Sequence, residues 1–113
     1  MEENFEDKWL SVESYLKDRF SKALDIKSIL FILGLRELGK NETNFTKEEK
    51  MDLMNVGFCK IASKAGYFDM AEKDQDGWPI FKQIKPLPKM NTKEQEQFIK
   101  EHVVNYFETE NLI

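Results

Sequence analysis

Apolar residues recur at helical spacing in four separate stretches of the chain, and each predicts a helix. Phe5, Trp9, Val12, Leu16 and Phe20 follow one another at steps of four, three, four and four. They make one stripe of an amphipathic helix at about residues 4–22, with Glu6, Lys8, Glu13 and Lys17 on the wet side. The next stretch, from Ile26 to Leu38, is apolar almost all round: Ile26, Ile29, Leu30, Phe31, Ile32, Leu33, Leu35 and Leu38. A helix without a polar face is either central in a core or half-covered by a second subunit. The first reading makes this helix the hub of the core. Asp25 is placed to cap it, and Gly39 stands where a left-handed residue ends helices.

Thr46-Lys47-Glu48-Glu49 spells a capping box, which opens a third helix at about residues 47–65, stopped by Gly66. Met51, Met54, Phe58, Ile61, Ala62 and Ala65 form its main apolar face, with Leu53 and Val56 on the opposite side, so this helix too is open to cover from two sides. Thr92-Lys93-Glu94-Gln95 reads as a second capping box, opening a last helix at about residues 93–108. Ile99, His102, Val103, Tyr106 and Phe107 share one of its faces. Between the third and fourth helices the period changes. Two short apolar-aromatic runs flank Asp74-Gln75-Asp76-Gly77, which predicts a β-hairpin over about residues 67–84. Pro79 confines the second run to a sheet edge or an extended segment. Lys85-Pro86-Leu87-Pro88 is a stiff spacer. The fold class expected is mainly α: one four-helix domain over residues 1–113, with a small hairpin between helices three and four.

Composition supports a folded chain and narrows its partners. The 113 residues are 41% hydrophobic and 12% aromatic, which excludes a disordered segment of this length. The net charge is −4, spread evenly: residues 1–45 carry 7 basic and 9 acidic side chains, and the remainder 10 and 12. Neither half offers the basic surface that nucleic acid or an anionic membrane requires. Only Arg19 and Arg36 are arginines, so the residue best suited to bidentate recognition of guanine or phosphate is scarce. The single cysteine, Cys59, cannot form an internal disulfide. The acidic start Met1-Glu2-Glu3 is the reverse of a signal peptide, and the longest apolar run, Ile29–Leu33, is far short of the roughly 20 residues that span a bilayer. A cytoplasmic location is expected, and the glycosylation sequons at Asn41 and Asn44 then carry no meaning.

Few residues carry chemistry. Glu72, Asp74, Asp76 and Gly77 match the opening of an EF-hand calcium loop, but Pro79 and Gln83 break the pattern where a helix and a bidentate Glu belong. An acidic hairpin tip is the simpler reading, and no metal or cofactor is assigned. Cys59 and His102 are the candidates for a nucleophile and a base, and a small enzyme built on them is one alternative. A free cysteine is more often a buried small hydrophobe, and a histidine on an apolar helix face is more often a packed, hydrogen-bonded one. No glycine-rich turn or serine elbow accompanies them, so the balance lies against an enzyme. A winged-helix regulator is another alternative, but both of its DNA contacts would be acidic: Lys47-Glu48-Glu49-Lys50-Met51-Asp52 on the helix and Glu72, Asp74 and Asp76 on the wing. The densest group of large apolar residues outside the helices is Trp78, Pro79, Ile80 and Phe81. These either lid the core or anchor a partner. The leading reading is a non-catalytic protein-interaction module or small homodimer using that patch.

Three segments also bear a resemblance. Ile29-Leu30-Phe31-Ile32-Leu33-Gly34-Leu35-Arg36-Glu37-Leu38-Gly39, Lys47-Glu48-Glu49-Lys50-Met51-Asp52-Leu53-Met54 and Asp74-Gln75-Asp76-Gly77-Trp78-Pro79-Ile80-Phe81 resemble a family of small uncharacterised proteins of Bacteroidota. The resemblance spans about residues 26–107 and implies a bacterial cytoplasmic protein. It carries no activity, cofactor or site residue with it.

Overall fold

The computed structural model describes residues 4–39 and 44–113. Four helices and one hairpin follow in the predicted order: α1 (Phe5–Phe20), α2 (Ile26–Leu38), α3 (Lys47–Ser63), β1 (Phe68–Lys73), β2 (Pro79–Gln83) and α4 (Thr92–Thr109). Most of the polar loop expected over residues 39–45, with the sequon at Asn41, lies outside the described residues. The chain forms two compact units. One holds α1 and α4; the other, Lys27–Lys89, holds the hairpin, α3 and α2 beyond its first residue.

Local chemistry accounts for the helix ends. Asn4 caps α1 by accepting the Asp7 amide, and the Thr46–Glu49 box caps α3 reciprocally at 2.9 and 3.1 Å. Gly39 ends α2 in the left-handed region at φ 70°, a conformation that costs a side-chain-bearing residue about 1 kcal/mol or more. The start of α4 differs from expectation: its capping box joins Asn91 and Glu94, one residue earlier than Thr92 and Gln95. A carboxylate accepts the free N-terminal amide more strongly than a carboxamide, and it also opposes the positive end of the helix dipole.

In the α1–α4 unit the buried residues are Val12, Leu16, Phe98, Val103, Val104, Tyr106 and Phe107. The Phe107 ring meets Tyr15 edge-on at 5.4 Å, and Lys8 pairs with Glu108 at 3.3 Å. The stripe read for the first helix holds at Val12 and Leu16, while its last member, Phe20, is exposed.

The other unit is organised by a close helix crossing. Gly34 on α2 lies against the backbone of Leu53, and Gly57 on α3 lies against the backbone of Leu30. These two reciprocal contacts, each pairing a glycine with a residue one turn from the other glycine, run α2 and α3 past each other in opposite directions. Every apolar residue of α2 is buried or half-buried. The crossing also corrects the face assigned to α3. Its buried residues are Leu53, Val56, Gly57, Cys59, Ile61 and Ala62, while Met51 is 58% exposed and Met54 and Phe58 are only half-covered. Leu53 and Val56 on the side that meets α2 and Ile61 and Ala62 of the expected face are all buried, so α3 is covered on two sides, and only the methionine end of the expected face stays open.

After α3 the Tyr67 amide donates to the Ala62 carbonyl, closing the helix and turning the chain back. Phe68 then packs edge-on against Phe58 at 6.4 Å. β1 and β2 pair antiparallel, Phe68 opposite Gln83 and Met70 opposite Phe81, with a bulge between Met70 and Glu72. Pro79 is the first residue of β2, where a missing N–H does least harm to a ladder. The bulge breaks the regular alternation of β1, a device that blunts strand addition at an open edge.

Candidate functional site

The loop between the strands is held by one side chain. Asp74 Oδ1 accepts hydrogen bonds from the amides of Asp76 and Trp78, both at 2.9 Å. The Gly77 amide donates to the Asp74 carbonyl at 3.0 Å, and Gly77 itself takes φ 85°. That is a type I turn followed by a left-handed glycine, the usual form of a three-residue hairpin loop. These bonds tie the Asp74 carboxylate to the backbone at both Asp76 and Trp78.

The strand carries this loop back along α3. From Phe58 to Glu49 the helix rises about 14 Å, and the six residues of β1 extend about 20 Å, enough to bring the loop level with the first turns of α3. There the two elements enclose an open groove of ≈ 410 Å³. Glu49, Asp52 and Asn55 line it from α3; Asp74, Asp76 and Trp78 line it from the loop; Val56 and Pro79 complete the lining and are themselves buried. The lining holds four carboxylates and no basic side chain. A concave surface of one charge sign, backed by low-dielectric protein, concentrates counter-charge more than the same charges on a convex surface. The indole of Trp78 adds a half-buried aromatic surface that suits a cation or the alkyl stem of a lysine or arginine. The lining offers hydrogen-bond acceptors, one carboxamide and an indole, and neither a nucleophilic thiol or hydroxyl nor an imidazole.

The four residues of the expected aromatic patch take different places. Trp78 and Pro79 line the groove, Trp78 half-buried and Pro79 buried. Phe81 is half-buried opposite Met70, and Ile80 is 41% exposed. Of the two helices whose apolar residues outnumber what one face holds, α2 leaves none of them exposed, and α3 leaves Met51 exposed. The loop that resembles a calcium site spends Asp74 Oδ1 on two backbone amides. Among the described residues no three His, Cys, Asp or Glu side chains gather as metal ligands.

Cys59 and His102 lie in different units and outside the groove lining. Cys59 is buried, and desolvation pushes its thiol above the ordinary value of 9.0. Burial holds the proton on the folded thiol after the unfolded thiol has lost it. The contribution to stability is therefore complete below about pH 9 and is lost as pH rises through the folded value. The expected result with a disulfide exchange reagent is no labelling of the native protein at pH 8 and full labelling in denaturant. Rapid native labelling would place the thiol at the surface. His102 is half-buried, donates from Nδ1 to the Phe98 carbonyl at 2.7 Å and stacks on the Phe98 ring at 4.0 Å. These are the contacts of a packed histidine, one helical turn from its partner.

Glu49, Asp52 and Asn55 were legible only as a polar helix start. The signal that joins them to the hairpin is the pair Phe58 and Phe68, which sets the strand along the helix. No family model matches the chain, and no match was found among curated proteins or solved structures. No helix among the described residues is long and apolar enough to cross a membrane.

Proposed function

We propose that this chain is a cytosolic, non-catalytic protein-interaction module whose groove between α3 and the hairpin loop takes a lysine- or arginine-rich segment of a partner protein. One observation carries the reading: Glu49, Asp52, Asp74 and Asp76 line a concavity that Trp78 also lines, and no basic side chain is in its lining. An extended basic segment would place its ammonium or guanidinium groups among the carboxylates and lay an alkyl stem on the indole. The same carboxylates oppose a phosphate backbone, so nucleic acid is disfavoured at this surface. The groove falls in the volume range of ligand pockets, about 300–1,000 Å³, yet its lining is too polar for a small apolar ligand.

The test is a titration of a short lysine-rich peptide into the protein, with a length-matched peptide of neutral residues beside it. Binding of the lysine peptide is expected to weaken with added salt, and the neutral peptide is expected not to bind. Two exposed charges worth about 0.7 kcal/mol each predict roughly a tenfold loss of affinity for the Asp52→Asn, Asp76→Asn double variant. Trp78→Ala is expected to weaken binding while helix content stays intact. Equal binding of both peptides, or an unaltered double variant, would overturn the charge-based reading. Unfolding of Trp78→Ala would show that the indole serves the core, and the double variant would then decide alone.

A further inference from the structure

We draw no further inference here: the strongest candidate outside the groove, the exposed apolar surface of Ile80 on the second strand of the hairpin and Ile84 just past its end, carries nothing because nothing in the structure shows what covers it.

Discussion

Gly57→Ala is expected to destabilise the protein by about 3 kcal/mol, against the direction that helix propensity alone predicts. In an isolated helix, replacing a mid-helix glycine with alanine gains about 1 kcal/mol. Here the added methyl would enter the van der Waals envelope of the Leu30 carbonyl oxygen, 3.0 Å from its carbon and 3.1 Å from the Gly34 nitrogen. All of these are backbone atoms, and none can rotate away. Relief requires α2 and α3 to separate, which loosens the packing of Leu30, Leu33, Leu53 and Ile61, all buried. Gly34→Ala meets the same obstacle at Leu53, whose carbonyl carbon would lie 2.7 Å from the methyl. Urea denaturation of both variants checks the claim through the shift in midpoint at constant slope. A gain in stability of about 1 kcal/mol for either would mean that the helices do not cross at their glycines.

Phe107→Ala is expected to cost about 3–5 kcal/mol, the range for removing a buried aromatic ring. The side chain is 1% exposed and meets two other rings, Tyr15 at 5.4 Å and Tyr106 at 6.1 Å. Alanine would leave a cavity beside the Tyr15 and Tyr106 rings. Against a total stability of about 5–15 kcal/mol, the variant retains little margin. Phe107→Leu keeps most of the volume, and its cost is expected to stay below about 1.5 kcal/mol. Amide hydrogen exchange locates the effect: α1 and α4 are expected to lose protection first in Phe107→Ala. Uniformly retained protection of α1 and α4 would show that the ring is dispensable to that unit.

The sequence was informative where a rule acts within a few residues. The ends of α2 at Ile26 and Leu38, the Thr46 box and the turn around Asp74 and Gly77 all rest on local chemistry, and all stand in the structure. At α4 the spacing pointed to Thr92 and Gln95, and the structure caps one residue earlier, where a carboxylate instead of a carboxamide stands at the third position. On α3 the two apolar faces were ranked in the wrong order, because periodicity weighs side chains by hydrophobicity, and Gly57 contributes by having none. A glycine inside a helical pattern is itself a packing signal, and Gly34 and Gly57 provide one in each of two consecutive helices. The groove was harder to see. Its acidic residues stand about 25 positions apart in sequence, and only the length of β1 and the aromatic contact of Phe58 with Phe68 bring them level. Trp78 and Pro79 were legible as an unusual cluster, whereas Asp52 and Asn55 looked like ordinary solvated positions of a helix.

The central claim is that a basic segment binds in the groove between α3 and the hairpin loop. Backbone amide chemical shifts of the labelled protein, followed during titration with the lysine-rich peptide, test it most directly. The shifted resonances are expected to cluster at Glu49, Asp52, Asn55, Asp74, Asp76 and the Trp78 indole, and added salt is expected to reverse them. Shifts centred elsewhere on the chain, or none at peptide concentrations in the millimolar range, would contradict it.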